Sequence, residues 1–286
     1  MPISWKIAGA QIDVSLGDVA ANLAKMTDRI RAESAEGAKL IVFPECALTG
    51  YCFESLGEGM AYAELIPGPG TSRIAEACRA GSCYAVFGML ERDGDQLFNA
   101  CALVGPEGVV GSYRKVHLPY LGVDRFTTPG DRPFAVHSAG PLRIGMHICY
   151  DGAFPESARV MALEGADLVV LPTNWPPGAE NTAAFVSNAR ALENHIYFMA
   201  VNRIGSERGF RFIGSSRICD PTGATLAEGP REGESILRAE IDIECARRKR
   251  IVRVPGKHMI YRFDDRRPAF YGPVTVPRPR SVPFGE

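Results

Sequence analysis

The sequence predicts an α/β fold, because strand-like and helix-like segments alternate through both halves of the chain. Short apolar runs rich in Val, Ile and Leu are followed by longer segments whose apolar residues recur at helical spacing. The chain has 286 residues, which is enough for a substantial hydrophobic core. The pattern by itself leaves open whether the strands form one sheet or two.

The first half is predicted to contain two helices among five strands. Asp18 is a residue type that caps helices, and it precedes an apolar stripe that ends before Gly37. Asp93-Gly94 separates two apolar runs and predicts a turn between strands. The predicted strands are 7–12, 40–43, 84–90, 100–104 and 109–113, and the predicted helices are 19–36 and 70–79.

The second half repeats this arrangement. Pro155 suits the first position of a helix, and Glu156 in the first turn interacts favourably with the helix dipole. Asp220-Pro221-Thr222-Gly223 predicts a turn between two short strands. The predicted strands are 142–149, 168–171, 197–202, 215–219, 224–227 and 235–243, and the predicted helices are 155–165 and 182–194.

The end of the chain has a different composition. Prolines and arginines dominate it, and it shows no periodic pattern. We therefore expect one domain over residues 1–254 and an extended tail over 255–286, which docks on the core or on a neighbouring subunit.

Composition excludes several classes of partner. A formal net charge of −1 gives no basic surface for nucleic acid or an anionic membrane. No apolar run reaches the roughly 20 residues of a membrane helix. Residues 1–6 lack the features of a secretion signal, so a cytoplasmic location is expected. The eight cysteines include no CxxC pair and no metal-site spacing, so we expect reduced thiols and no metal.

Three reactive residues are predicted to follow the ends of buried strands. Glu45 follows the strand at 40–43, Lys115 follows the strand at 109–113, and Cys149 closes the strand that begins at 142. In α/β sheets, sites form at the carboxyl ends of strands. A carboxylate, an ammonium and a thiol brought together there make a coherent nucleophilic site.

The chemistry assigns one role to each of these groups. A free thiol has a pKa of about 8.5, so little thiolate exists at neutral pH. Glu45 is expected to take the proton of Cys149 and to pass it to a leaving amine. Lys115 and the backbone N–H of Tyr150 are expected to stabilise the oxyanion. Ammonia or an amine then leaves, and Glu45 activates water to cleave a thioester.

The arrangement resembles the nitrilase superfamily of carbon–nitrogen hydrolases, which carries a Glu-Lys-Cys triad in this chain order. The resemblance implies a four-layer α-β-β-α sandwich over the main domain, homo-oligomers, a small amide-type substrate, and neither metal nor organic cofactor. The segments that carry it are 43–45, 48–51, 113–119, 148–151, 154–156, 190–194, 202–205 and 214–216.

Departures from the family pattern bear on the substrate. Many members carry a second Glu between the Lys and Cys segments, and here only Asp124 lies near that place. Its carboxylate is expected to hold the substrate or to orient Lys115. Gly152 and Ala153 stand where enzymes for α-carboxylate substrates often place arginines, so a bidentate clamp is missing unless Arg125 or another arginine replaces it. The segment at 149–152 looks more like aliphatic amidases, which favours a neutral or apolar acyl group.

Further residues are predicted to line the pocket. Asn174 and Trp175 follow a buried strand, and Trp175 forms either the acyl wall or part of the core. Tyr51 is expected at the pocket or in the core, and Tyr150 is counted among the binding residues. A rival mechanism pairs Cys149 with His147, but their Cα atoms would be about 6.6 Å apart on a strand, which favours a packed His147.

The leading hypothesis is therefore hydrolysis of a small amide, with release of ammonia and a carboxylic acid. An N-carbamoyl amidohydrolase is the alternative, because its site chemistry is nearly the same. Nitrile hydrolysis is disfavoured, because nitrilases resemble Cys-Trp-Glu after the nucleophile and this chain has Cys149-Tyr150-Asp151. A non-catalytic relative that binds a partner is disfavoured by the intact triad.

Overall fold

Two six-stranded sheets form the centre of the fold in a computed structural model, which describes residues 4–277. Their strand orders are β14-β1-β2-β3-β4-β5 and β13-β12-β9-β8-β7-β6. The strands are β1 (Ser4–Gln11), β2 (Ala38–Val42), β3 (Tyr84–Asp93), β4 (Gln96–Gly105), β5 (Gly108–Arg114), β6 (Val136–Ala139), β7 (Leu142–Met146), β8 (Leu168–Thr173), β9 (Tyr197–Asn202), β10 (Ser206–Glu207), β11 (Phe210–Arg211), β12 (Arg217–Cys219), β13 (Thr225–Glu228), β14 (Ser235–Asp242), β15 (Arg250–Val254) and β16 (His258–Tyr261).

Helices cover the outer faces of both sheets. The α-helices are α1 (Val19–Ala35), α2 (Leu56–Met60), α3 (Pro69–Gly81), α4 (Pro155–Leu163), α5 (Ser187–Asn194), α6 (Ile243–Arg247) and α7 (Gly272–Thr275). Shorter helical segments are the 3-10 turns Gly122–Arg125, Cys149–Ala153 and Pro268–Phe270, and the π-helix Thr182–Val186.

The parallel strands set the position of the site. In the first sheet β1, β2 and β3 run parallel, and the antiparallel pairs β3–β4 and β4–β5 return β5 to the same direction. In the second sheet β7, β8 and β9 run parallel. The carboxyl ends of β2 and β5 therefore lie along the same side of the first sheet, where its parallel strands end.

Three interfaces give the order of the layers. Side chains from both sheets, such as Val42 and Ile144, share one buried cluster, so the sheets pack face to face. A second cluster joins the other face of the first sheet to α1 and α3, with Met26 and Ile74 among its members. On the second sheet, α4 lies so close to β7 that a Cβ at Gly145 would be 2.6 Å from Met161 Sδ, and α5 packs on β9. The expected α-β-β-α sandwich is confirmed.

Most of the predicted helices and strands are confirmed, although several boundaries shift and β6 and α2 were not predicted. Asp18 caps α1, since its carboxylate accepts a hydrogen bond from Ala21 N–H. The strand predicted over 142–149 ends at Met146, because Cys149 begins a 3-10 turn with a φ of 46°. The helix predicted over 182–194 opens with a π-helical turn before α5 begins at Ser187.

The chain divides into two compact units after Arg247. The described part of the second unit, residues 248–277, contains the β15–β16 hairpin, one 3-10 turn and α7. The boundary expected after residue 254 falls inside this hairpin. Docking of the tail and homo-oligomer formation stay predictions, and residues 278–286 lie outside the described part. Over residues 4–277, no helix is both long and apolar enough to traverse a bilayer.

Gly88 on β3 allows the loop after β2 to approach closely. A Cβ at this position would lie 2.2 Å from Cys46 N and 2.6 Å from Glu45 Cα, and backbone atoms cannot move aside as a flexible side chain can. We expect Gly88→Ala to lower the free energy of unfolding by about 3 kcal/mol through overpacking. Urea unfolding measures this change.

Gly57→Ala is the matched control, since a Cβ at Gly57 meets nothing within 4 Å. Its effect should stay within about 0.5 kcal/mol. Equal unfolding midpoints for the two variants would contradict the close approach at Gly88.

Candidate active site

Glu45 and Lys115 meet on the side of the first sheet where its parallel strands end. Glu45 follows the end of β2, and Lys115 follows the last residue of β5. Lys115 Nζ lies 2.7 Å from Glu45 Oε1, and both side chains are fully buried. The structure therefore brings this carboxylate and this ammonium together, as the sequence predicted.

Asp124 is the second carboxylate at Lys115. It lies in the 3-10 turn Gly122–Arg125, and its Oδ2 accepts a hydrogen bond from Lys115 Nζ at 2.6 Å. The hydroxyl of Tyr51 donates to the same oxygen at 2.9 Å. Of the two roles considered for Asp124, the contacts are those of a residue that orients Lys115.

Asn99 is a site residue that the sequence analysis missed. It lies on β4, and its Nδ2 donates to Glu45 Oε1 at 2.7 Å and to Asp124 Oδ1 at 2.8 Å. One amide thus ties the two carboxylates together. The available signal was a polar residue inside the otherwise apolar strand that follows the Asp93-Gly94 turn.

Burial and mutual charge set the protonation of this group. Burial by itself lowers the pKa of Lys115, but Asp124 and Glu45 raise that pKa well above its ordinary value, so the ammonium is retained. Burial raises the pKa of Glu45, and Asp124 adds to the rise while Lys115 opposes it. Glu45 Oε2 is buried and accepts no hydrogen bond from residues 4–277. It is therefore the oxygen left for a substrate or a thiol proton.

Cys149 reaches the same site from the second sheet. The residue follows β7 and is partly accessible to solvent. Burial of the sulfur and the charge of Glu45 raise the pKa of Cys149 to about 12, while Lys115 opposes the rise. The Thr173 hydroxyl and the Asn174 N–H face the sulfur and also favour the thiolate. The thiol is therefore protonated at neutral pH and needs a base at the moment of attack.

Asp151 joins the segment after β5 to the turn that carries Cys149. Its Oδ2 accepts hydrogen bonds from Ile148 N–H at 2.9 Å and from the Tyr113 hydroxyl at 2.8 Å. Its Oδ1 accepts from His117 N–H at 3.0 Å. Burial raises the pKa of Asp151, but the His117 side chain, whose Nδ1 lies 2.7 Å from Oδ1, and the other favourable contacts lower it below its ordinary value. These bonds link the two sheets close to Cys149.

Two arginines fix the backbone around the site. Arg114 makes a bidentate ion pair with Glu91, at 2.7 and 2.9 Å, just before Lys115. Arg190 donates to the carbonyl oxygens of Gly152 and Ala153 at 3.2 and 3.3 Å. The guanidinium of Arg190 therefore holds the turn after Cys149.

The predicted binding residues differ in their surroundings. Asn174 is buried, and neither atom of its side-chain amide has a hydrogen-bond partner among the described residues. Trp175 is also buried, and its backbone N–H donates to Asn202 Oδ1 at 2.8 Å. Tyr150 is 43% exposed and meets the ring of Phe154 edge to face. The amide of Asn174 is the one of these groups that still needs a partner.

His147 is packed in the second sheet's outer layer. Its Nδ1 lies 2.9 Å from Ser157 Oγ, and its ring meets Phe198 edge to face. Burial lowers the pKa of His147 to about 4, so the ring is neutral at physiological pH. The polar groups beside the Cys149 sulfur that lower its pKa are the Thr173 hydroxyl and the Asn174 N–H. This environment agrees with a packed His147 and not with a Cys-His dyad.

Comparison with known proteins places the chain in a family. Residues 6–250 match the family described as Carbon-nitrogen hydrolase. A protein of Pyrococcus abyssi named nitrilase is 38% identical over 93% of this chain and 98% of its own length. Human omega-amidase NIT2 is 30% identical over 84% of this chain and 90% of its own length.

A solved structure shares the fold as well. A mutant of the amidase from Nesterenkonia sp. AN1 has 26% sequence identity and a TM-score of 0.78, with 94% of this chain and 97% of that chain covered. The chain belongs to the carbon–nitrogen hydrolase family. It is an enzyme of the nitrilase superfamily, with the amidase-like character that its motifs indicated.

Asp151 gives a prediction about stability and pH. Its pKa is lowered in the folded protein, so its carboxylate stabilises the fold above pH 3.8 and this contribution is lost as the pH falls through the folded value. We expect Asp151→Asn to lower the free energy of unfolding by about 2 kcal/mol at pH 7. Urea unfolding from pH 7 to pH 3 should show the difference from the parent protein shrinking.

Asp28→Asn serves as the control, because Asp28 is 73% exposed and its ion-pair partner among the described residues is Arg31. Its effect should be within about 0.5 kcal/mol at each pH. A pH-independent loss in Asp151→Asn would rule out the contribution of its charge.

Proposed function

We propose that the enzyme hydrolyses the C–N bond of a small amide and releases ammonia and a carboxylic acid. The observation that carries the proposal is the state of the Glu45 carboxylate. Its Oε1 is fixed by Lys115 and Asn99, while its Oε2 is buried without a partner among residues 4–277, beside a protonated Cys149. A carboxylate held in this way is a base ready to receive a proton.

Acylation begins when Cys149 Sγ attacks the amide carbon. The S–C bond forms as the thiol proton moves to Glu45, and the carbonyl oxygen becomes an oxyanion. When the C–N bond breaks, Glu45 returns that proton to the nitrogen, and ammonia leaves. The raised pKa of Glu45 suits both steps, because a group that first accepts a proton and then donates it works best when its pKa lies closer to the operating pH.

Lys115 is the group that we assign to the oxyanion. An ammonium has three N–H donors, and two of them bind Glu45 and Asp124. The third can donate to the substrate oxygen, and we assign a second donor to the backbone N–H of Tyr150. Loss of one such donor costs about 3–4 kcal/mol in other hydrolases.

Deacylation uses the same residues in reverse order. Water attacks the thioester carbon as Glu45 takes one of its protons. The C–S bond then breaks, the carboxylic acid leaves, and the sulfur of Cys149 recovers the proton from Glu45. The cycle ends with the groups in their starting state.

The charges at the site favour a neutral acyl group. Glu45, Asp124 and one ammonium at Lys115 leave a formal charge of −1 when both carboxylates are ionised. A second anion close to the reacting carbon would be repelled in this low-dielectric setting. We assign substrate contact to the Asn174 amide, and we place Trp175 and Tyr150 at the pocket wall. Tyr51 is assigned to the support of Asp124 instead, because its hydroxyl is engaged there.

The relatives support an amide as substrate. The Nesterenkonia amidase mutant carries the acetamide moiety of fluoroacetamide on its active-site cysteine. The human relative is an omega-amidase, and Bacillus cereus contains a formamidase that is 31% identical over 75% of this chain. For an N-carbamoyl acid, no arginine stands at Gly152 or Ala153, and Arg190 is engaged by the backbone.

Nitrile hydrolysis is the second candidate, because the Pyrococcus relative with 38% identity is named nitrilase. A nitrile carbon would accept the same attack by Cys149. A panel of matched amides, nitriles and N-carbamoyl acids, assayed for ammonia and for the carboxylic acid, separates the three functions. The proposal requires the highest kcat/KM on the amide.

Removal of the thiol tests the nucleophile. We expect Cys149→Ala to reduce ammonia release from the best amide by a factor of at least about 10⁴. Cys245→Ala is the matched control, since Cys149 and Cys245 are the two partly accessible cysteines among the eight. Turnover in Cys149→Ala equal to that of the control would exclude this thiol as nucleophile.

The pH profile tests the roles of the charged groups. Because the pKa of Glu45 is raised, kcat/KM should fall on the acid side at a midpoint above pH 4.5. The raised pKa of Lys115 keeps the ammonium to above pH 10.5. Asp124→Asn removes a charge that raises both pKa values, so both limbs should move to lower pH. Rates from pH 4 to 11 measure this, with Asp28→Asn as the unshifted control.

A further inference from the structure

Glu207 is a buried carboxylate outside the group of reacting residues. It ends the short strand β10, and it is 4% exposed. Its Oε2 accepts hydrogen bonds from the backbone N–H of Tyr51 at 3.0 Å and of Cys52 at 2.9 Å. A carboxylate that binds two successive N–H groups fixes the position of that backbone.

Arg203 holds Glu207 in this place. The Arg203 guanidinium is fully buried and forms an ion pair with Glu207 through Nη1 and Oε1. Its Nη2 donates to Asp13 Oδ1 at 3.0 Å and to Val14 O at 2.7 Å, and its Cζ lies 4.4 Å from the centre of the Phe212 ring. Burying an ion pair costs free energy, and the additional hydrogen bonds of Arg203 compensate for it. They hold the Arg203–Glu207 pair in a single geometry.

A continuous path of contacts leads from Glu207 to Lys115. Glu207 fixes the backbone of Tyr51, and the Tyr51 hydroxyl donates to Asp124 Oδ2 at 2.9 Å. The same oxygen accepts from Lys115 Nζ at 2.6 Å. The Tyr51 ring is closely packed, since a Cβ at Gly122 would lie 2.3 Å from it. A shift of the Tyr51 backbone would therefore move its hydroxyl.

We propose that Glu207 is a positioning residue for the Lys115 ammonium and acts through Tyr51 and Asp124. This inference rests on the oxyanion role proposed for Lys115. Glu207 contacts neither the Cys149 thiol nor Glu45 among the described contacts. Its effect on the reaction is therefore transmitted by the Tyr51 hydroxyl. When Glu207 no longer accepts the two N–H groups, Tyr51 and Asp124 lose their fixed geometry.

The kinetic consequence differs from that of a purely structural residue. A displaced ammonium stabilises the oxyanion less in the transition state, while the bound substrate loses little. We expect Glu207→Gln to reduce kcat about 10- to 100-fold, as a displacement of about 1 Å does in other sites. KM should change less than about threefold.

Asp167 supplies the matched control. It is a buried carboxylate that accepts from Arg143 N–H at 3.0 Å and pairs with Arg247 at 2.9 Å. It stands just before β8, at the end of the sheet opposite to Thr173. Asp167→Asn should lower stability as Glu207→Gln does, yet it should leave kcat unchanged.

A double-mutant cycle with Tyr51→Phe tests the path. Tyr51→Phe removes only the hydroxyl, and it should lower kcat by a similar factor. If Glu207 acts through that hydroxyl, adding Glu207→Gln to Tyr51→Phe should reduce kcat less than threefold further. Additive losses would overturn the inference. If Glu207→Gln does not fold, full activity in Tyr51→Phe alone would overturn it as well.

A readout that does not depend on amide hydrolysis separates this inference from the proposed function. Lys115 lowers the pKa of Cys149 in the parent protein, so a displaced ammonium should slow alkylation of Cys149. Mass spectrometry should show iodoacetamide labelling of Cys149 at pH 8 slowed several-fold in Glu207→Gln and unchanged in Asp167→Asn. Equal labelling rates would refute the positioning role. If the parent protein hydrolyses no amide, the proposed function fails, and the labelling rates still decide this inference.

Discussion

The buried contact of one ammonium with two carboxylates is the constraint around which the site is built. Lys115 lies 2.7 Å from Glu45 and 2.6 Å from Asp124, with all three side chains removed from water. Taking each charge out of water costs several kcal/mol, so the group persists only where hydrogen bonds compensate. Asn99 and Tyr51 supply those bonds. Of the four carboxylate oxygens of Glu45 and Asp124, Glu45 Oε2 is the one without a hydrogen-bond partner among residues 4–277.

The two-sheet fold divides the reacting groups between its halves. The first sheet carries the Glu45 carboxylate and the Lys115 ammonium after the ends of β2 and β5, and the second carries the Cys149 thiol after the end of β7. Face-to-face packing of the sheets brings these ends together. Asp151 adds polar contacts between Tyr113, His117 and the turn at Cys149. The turn that carries Cys149 is thus bonded to the segment at the end of β5 as well as to its own sheet.

Local signals in the sequence were sufficient for most of the elements that carry the site and for the three residues proposed to react. Each of the three reacting residues follows a short apolar run, and Asp18 lies beside the helix that it caps. The supporting residues could not be found in this way. Asn99 binds a carboxylate 54 residues away, and Glu207 binds a backbone 156 residues away. Such contacts depend on sheet packing, which apolar periodicity does not specify. The end of β7 at Met146 was missed because the left-handed turn at Cys149 has no glycine to mark it.

The separate origin of the thiol and its base has a wider consequence. The proposed catalysis depends on the interface between the two sheets, because neither sheet alone carries both the thiol and the carboxylate. A displacement of about 1 Å of one sheet relative to the other would separate the Cys149 sulfur from the Glu45 carboxylate. The hydrogen bonds within each sheet would remain intact. Mild heating or a low concentration of denaturant would therefore abolish activity before the secondary structure unfolds. The activity of such a protein therefore reports sensitively on how well its two sheets pack against each other.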